Sequence, residues 1–259
     1  MKLQKRTVLI TGGTSGIGRE LAKQLLERDN TVIVTGRDQA KLAATKRMLP
    51  GLHTFKSDVS DPTEITALQA SVLAGFPALD TLINNAGIMR NLNLNRTRDL
   101  LDVTREIDIN LNGPVRMIQQ FLPHLKSKKG ALIVNISSGL AFIPMPISPV
   151  YCATKAAIHS FTQSLREQLE GTGVMVIELA PPPVETPLFR GEFAEEMKGE
   201  KGMDVKVLVN KAIAGIEAGK LEIRPGVSNL LKAMSRLAPH FMFMQLAKLG
   251  RPRKPALAS

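Results

Sequence analysis

The sequence predicts an α/β fold: one doubly wound domain with a mostly parallel sheet of about seven strands and helices on both faces. Three observations carry this expectation. Short β-branched runs alternate with segments of helical spacing from residue 7 to about 180, a rhythm that implies a parallel sheet with right-handed crossovers. The runs TVLIT (7–11), TVIVT (31–35) and ALIVNI (131–136) show little polar alternation, as strands covered on both faces do. A glycine-rich turn, TGGTSGIG (11–18), joins the first strand to the first helix.

The elements follow in order. Thr7–Thr11 reads as a strand. Gly16–Asp29 then places Ile17, Leu21, Leu25 and Leu26 on one helical face. Thr31–Thr35 is the second strand and Gln39–Leu49 the second helix. Residues 53–56 form a short strand, followed by a helix from Pro62 to about Phe76. Thr81–Asn84 (TLIN) is a strand, and roughly Asp99–Leu125 is helical. The strand Ala131–Ile136, the helix Tyr151–Glu170 and the strand Val174–Ala180 complete the rhythm. No linker or solenoid-period repeat interrupts it. Residues 1–228 therefore read as one domain, with 229–259 as a basic, amphipathic helical extension.

A chain of 259 residues with 44% hydrophobic content can bury a large core and is not disordered. Cys152 is the single cysteine, which excludes an intramolecular disulfide framework and is consistent with a reducing compartment. The start, MKLQKRTVLITGG, has an apolar run too short for a signal peptide. No run reaches the ~18 apolar residues of a membrane span, so a cytoplasmic location is expected. The net charge is +11, and +7 of it lies in the last 40 residues, where Lys220, Arg224, Lys232, Arg236, Lys248, Arg251, Arg253 and Lys254 face only Glu222. Such a tail suits nucleic acid, an acidic membrane surface or plain solubility.

In the first turn, Gly12, Gly16 and Gly18 let the backbone turn tightly and approach a pyrophosphate, while the helix that follows offers free N–H groups. Thr14, Ser15 and Ile17 lie in the same turn. The second strand ends in TGRD. Gly36 brings no carboxylate to repel a 2′-phosphate and Arg37 brings a fork of donors, which favours NADP, with NAD as the alternative. Asp38 complicates this, since it could pair with Arg37 or bind a ribose hydroxyl itself.

PVYCATKAAIHSF (149–161) holds the only tyrosine, Tyr151, with Lys155 four residues later. On a helix the two share a face. A neighbouring ammonium favours the phenolate and lowers the phenol's pKa, and a tuned phenol can exchange a proton with an oxygen.

Together these stretches resemble the short-chain dehydrogenase/reductase family. TGGTSGIG, NNAG (84–87), Asn110 in NLNG, NISS (135–138) and YCATK occur in the family's order, with Ser138 13 residues before Tyr151. The resemblance covers residues 6 to about 225. VYCATKAAIHSF, ELAPPPVETPL and GIEAGKLEI look like the family's DltE-type branch. The resemblance implies a Rossmann sheet of order 3-2-1-4-5-6-7 and an oxidoreductase interconverting a carbonyl and an alcohol. It implies Tyr151 as general acid–base, Lys155 as the group that tunes it and holds the nicotinamide ribose, Ser138 on the substrate oxygen, and Asn110 holding a relay water. It also implies cofactor contacts from Asp58 and Val59, from Asn85, Ala86 and Gly87, and from Pro181, Val184 and Thr186. A homodimer or homotetramer acting on a small molecule is the implied assembly.

The chain departs from the family where Pro181-Pro182-Pro183 replaces a Pro-Gly pair. Proline lacks an N–H and fixes φ, so a stiffened loop is expected. The segment GLAFIPMPISPV (139–150) suggests an apolar substrate wall or a loop packed under residues 187–205, and Met89 and Met145 are candidate lining. Cys152 reads as a small buried residue. His53, His124, His159 and His240 lack metal-ligand spacing, so no metal is expected. For the C-terminal segment three readings stand in order: packing on its own domain, forming a subunit interface or cleft cover, and lying on an anionic membrane. Nucleic acid is not expected, because interleaved aromatics and a binding motif are missing. A non-catalytic NAD(P)(H) sensor is the alternative function.

Overall fold

The computed structural model describes residues 2–249; Arg251, Arg253 and Lys254 lie outside the described residues. Seven strands, β1 (Thr7–Thr11), β2 (Thr31–Gly36), β3 (His53–Lys56), β4 (Thr81–Asn84), β5 (Leu132–Ile136), β6 (Met175–Leu179) and β7 (Glu222–Ile223), form one sheet of order β3-β2-β1-β4-β5-β6-β7. Every pairing in it is parallel. The expected doubly wound fold is thus present, with the parallel sheet complete.

Strand alternation sends successive side chains to opposite faces. On one face Ile10, Val34, Val134 and Leu179 pack with Leu21 and Leu25 of α1 (Gly16–Leu26) and with Val209 and Ile213 of α8 (Val205–Glu217). On the other, Leu9, Ile33, Leu82 and Ile133 pack with α3 (Pro62–Gly75), α5 (Gly113–Lys126) and α6 (Pro149–Gln168), through Leu68, Phe121 and Leu165 respectively. Helix starts follow the local chemistry. Asp38 caps α2 (Gln39–Met48), and Asp61 caps α3 with Pro62 in its first turn.

The helical region expected over 99–125 is two helices. α4 (Leu100–Ile107) passes through a π turn, Asp108–Asn112, into α5. The wider turn re-aims the residues inside it, and such turns recur at functional sites; this one contains Asn110. After β6 the chain forms the four-residue α7 (Pro187–Arg190) and then α8. It ends in α9 (Val227–Leu237) and α10 (Pro239–Leu249). The C-terminal helices thus begin two residues before the expected boundary at 229. No helix among the described residues is long and apolar enough to cross a membrane.

Candidate active site

Parallel strands deliver all their C-terminal ends to one edge of the sheet, and a crevice forms there. The crevice has a volume of about 630 Å³ and is lined by Gly12, Thr14, Ser15, Gly16, Ile17, Arg37, Asp58, Val59, Asn85, Ala86 and Gly87, then by Ser138, Tyr151, Lys155, Pro181, Val184 and Thr186. All the candidate residues except Gly18 and Asn110 are therefore on its wall.

Gly12 has φ +67°, and a Cβ on it would lie 2.8 Å from the Ala86 Cα, so the turn must pass bare against the loop after β4. Gly18 stands behind the wall for a similar reason: a Cβ there would lie 2.4 Å from both Asn85 Nδ2 and the Gly12 carbonyl. Asn85 ties the two loops together, its amide donating to the carbonyls of Thr11 and Gly12 at 2.9 Å each. The Thr11 hydroxyl accepts from the backbone N–H of Asn85 and Ala86. Ser15 precedes α1 in extended conformation and makes no side-chain cap bond, so the first N–H groups of the helix carry no cap from it.

The ambiguity at TGRD resolves locally. The Asp38 carboxylate accepts from the Lys41 N–H at 3.0 Å and caps α2, while Arg37 lines the crevice. Asp58 forms a tight turn, accepting from the N–H and hydroxyl of Ser60 at 2.9 and 2.7 Å.

At the other end, Tyr151 and Lys155 sit one turn apart on α6, both buried. The Lys155 ammonium donates to the Ile136 carbonyl at 2.8 Å. Ser138 lines the crevice with Tyr151. Burial pushes the Tyr151 phenol up, outweighing the opposing influence of the Ser138 hydroxyl. This is opposite to the downward shift expected from the lysine, because removing a phenolate from water is costly. Burial also drives Lys155 down to about 8, against the pull of Glu178.

Asn110 sits in the π turn, buried behind the crevice wall. Its carboxamide clamps Ile88, accepting from the N–H at 2.9 Å and donating to the C=O at 2.8 Å, and donates to the Thr154 hydroxyl at 3.2 Å. Its side chain fixes the loop after β4 against α6, and a Cβ on Gly87 would lie 3.3 Å from its Oδ1 and 3.7 Å from the Lys155 Nζ.

The proline run keeps the loop after β6 in place through its carbonyls. Pro181 accepts from Gly139 N–H and Pro183 from Met203 N–H, both at 2.8 Å. The Thr186 hydroxyl donates to the Val184 carbonyl at 3.1 Å. A Cβ on Gly16 would lie 3.3 Å from the Thr186 methyl, so Thr186 faces the glycine turn.

The segment 139–150 does both things expected of it. Leu140 and Met145 line the crevice beside Met89, and Met145 packs with Tyr151, Cys152, Phe193 and Met197. Cys152 is held at Met145, whose N–H donates to its sulfur at 3.2 Å. Burial raises its thiol to about 11, so it is a packing residue.

Several participants were invisible in the sequence. Val227, Leu231, Met242 and Leu246 bring α9 and α10 to the crevice wall; helical periodicity marked the segment without saying where it packs. Glu106, fully buried on α4, accepts from the Arg90 N–H at 3.0 Å with one oxygen, and its other oxygen has no partner. Burial raises its carboxyl to about 7. Behind β6, His159, Glu178 and Glu222 bring ligand-type atoms within 4.8 Å of one another, which sequence spacing did not show. Lys232 and Arg224 already ion-pair with Glu222 there.

Known proteins share this arrangement. A family model described as short chain dehydrogenase matches residues 6–197. An uncharacterized oxidoreductase DltE of Bacillus subtilis is 45% identical over 224 residues, covering 86% of this chain and 89% of that protein. Sulfoacetaldehyde reductase 2 of Chromohalobacter salexigens is 37% identical over 183 residues, covering 69% of this chain and 73% of its own. A short chain dehydrogenase from Burkholderia cenocepacia, solved in complex with NADP, superposes with a TM-score of 0.81 over 97% of this chain and 100% of its own, at 24% identity.

Proposed function

Because the chain belongs to the short-chain dehydrogenase family, we propose that it is an NADPH-dependent reductase that converts a carbonyl to an alcohol on an apolar or partly apolar substrate. The observation that carries this reading is the buried set of Ser138, Tyr151 and Lys155 at the end of a crevice whose other end is a glycine turn.

The residues fit a dinucleotide. The bare approach of Gly12 to Ala86 leaves room for a pyrophosphate over the α1 N-terminus. Arg37, with Asp38 occupied as a cap, suits a 2′-phosphate. Val184, Thr186 and Pro181, which line the crevice, would hold the nicotinamide. The cofactor supplies a hydride; the rest falls to the chain.

Ser138 and Tyr151 present two O–H groups to a carbonyl oxygen. As negative charge builds on that oxygen, both donors stabilise it, and Tyr151 hands over its proton. A phenol whose pKa is raised by burial stays protonated, which suits an acid and disfavours a base. An alkoxide is a far stronger base than a phenolate, so the transfer still runs forward. Lys155 remains largely cationic at neutral pH and offsets the phenolate left behind. Its N–H groups not used by Ile136 are available to ribose hydroxyls. Leu140, Met145, Phe189, Phe193 and Met197 give the substrate end an apolar wall.

The test is a titration with NADPH and NADH followed by a panel of aldehydes and ketones of graded apolarity. NADPH binding tighter than NADH, with NADPH oxidised by apolar carbonyls, supports the reading. Tight binding with no turnover across the panel would turn it into a dinucleotide sensor. Binding of neither cofactor removes it.

A further inference from the structure

Helices α9 and α10 have two apolar sides. The inner side closes the crevice. Ser228 and Leu231 are buried, and a Cβ on Gly139 would lie 2.7 Å from the Ser228 hydroxyl and 3.1 Å from a Leu231 methyl. Met242 and Leu246 of α10 continue the same wall. The outer side is uncovered. Val227, Leu230 and Leu237 recur at three- and seven-residue intervals along α9, one face of a helix, and Phe241 extends the stripe onto α10. Leu230 is 53% exposed, Leu237 80% and Phe241 57%. No residue of α10 from Pro239 to Lys248 is buried, although it carries Phe241, Met242, Phe243, Met244 and Leu246.

The charge around the stripe has one sign. From residue 225 to the end the sequence contains Lys232, Arg236, Lys248, Arg251, Arg253 and Lys254 and no acid. Lys232 is committed to Glu222, but Arg236 and Lys248 are exposed on the described helices. An uncovered apolar stripe marks an interaction site. A second copy of the chain meeting this face would set Arg236 and Lys248 against their own counterparts, with no acid in the segment to pair them. An anionic lipid surface meets both requirements, taking the apolar side chains at its headgroup–acyl boundary and the basic ones at its phosphates.

We propose that the α9–α10 pair docks the protein on anionic membranes, with Leu230, Leu237 and Phe241 entering the interface and Arg236 and Lys248 at the headgroups. The inner side packs on its own domain, the first reading expected for the C-terminal segment; the proposal gives the outer side the membrane reading that stood third. The docked face lies directly outside the crevice wall, because Val227 belongs to both. The proposal is independent of the reaction catalysed.

The experiment is co-sedimentation of the full chain with vesicles of phosphatidylcholine alone or mixed with phosphatidylglycerol, at low and high salt. The expected result is binding to the mixed vesicles, weakened at high salt. R236A should reduce it roughly fivefold, the worth of one basic side chain near an anionic surface, and L237E/F241E at least tenfold. Both substitutions in the latter are at exposed positions off the crevice, so its melting temperature should match the wild type and confirm a folded variant. Absence of binding to the mixed vesicles overturns docking, as does a folded L237E/F241E that sediments like the wild type. A third overturning result is a wild-type dimer in ultracentrifugation that L237E/F241E converts to monomer, since the stripe would then belong to a second copy.

Discussion

The Lys155 ammonium lies 5.6 Å from the centre of the Tyr151 ring while donating to the Ile136 carbonyl at 2.8 Å. Lysine and phenol share a helical face, yet the lysine's bond goes to the backbone at the end of β5. Burial therefore decides the protonation of Tyr151, with Ser138 as the opposing influence.

That balance can be read directly. Tyr151 is the only tyrosine and the chain has no tryptophan, so phenolate formation appears in ultraviolet difference absorbance without overlap. The free protein should show no phenolate until above pH ~10, the ordinary tyrosine value. S138A should move the transition higher still, because it removes an influence that favours the phenolate. A wild-type midpoint below 10 would contradict the burial argument. Y151F should lower kcat by about 10²- to 10⁴-fold, the worth of a positioned acid, and leave NADPH affinity nearly unchanged.

In the proposed NADPH reading, Arg37 would read the 2′-phosphate. Asp38 is held at the start of α2 by the Lys41 N–H, so the arginine does not need to be shared with it. R37A should weaken NADPH by about 10- to 100-fold, as expected for a lost charged hydrogen bond, and NADH by little. Fluorescence titration of both cofactors checks this. Equal losses for the two would show that Arg37 does not read the 2′-phosphate.

Much of this site was legible in the sequence because the cues are local. A bare turn between TVLIT and a helix has few uses, and the resemblance that the motifs carry implies the strand order found. The roles that the sequence does not report depend on distances between segments. Asn110 lies in a π turn that a continuous helical pattern hides, and its carboxamide goes to Ile88 and Thr154. The direction of the Tyr151 shift required its burial, which spacing to Lys155 does not reveal. Leu231 and Met242 reach the crevice only because α9 folds back over Gly139.

Glu106 should make stability depend on pH. Its carboxyl is raised to about 7 in the fold from roughly 4.3 in an unfolded chain. Between those values the folded state holds a proton that the unfolded state has lost. The fold is therefore favoured at the acidic end, weakens as pH rises through this window and levels off above about 7. Within the window the loss is about 1.4 kcal/mol for each pH step of one. The groups around it are the Arg90–Asp102 pair, Glu192, Cys152 and Tyr151, and of these only Arg90 favours its ionised form. E106Q keeps the acceptor for the Arg90 N–H and removes the titration. Thermal melts at pH 5 and pH 8 should differ less in E106Q than in the wild type; an unchanged difference would place the titration elsewhere.

The last prediction concerns what holds the crevice edge together. Asn84 donates to the Asn135 carboxamide at 2.9 Å across the β4–β5 register, and Asn135 donates to Thr162 of α6 at 3.0 Å. Thr162 in turn donates to the Ile158 carbonyl at 2.7 Å. All these side chains are buried, so the chain of bonds exchanges no partner with water. N135L keeps the branched shape at a larger volume and leaves the Asn84 amide without its acceptor, which costs about 1–3 kcal/mol. In a domain of this size that lowers the melting temperature by roughly 2–4 °C per kcal/mol. N84L/N135L removes both ends of the bond, and replacing both partners by apolar groups can be nearly neutral. The double variant should therefore melt above the sum of its two single changes. Strict additivity would mean that the Asn84–Asn135 contact contributes no coupling, and that β4 and β5 are held in register by their backbone ladder and apolar neighbours alone.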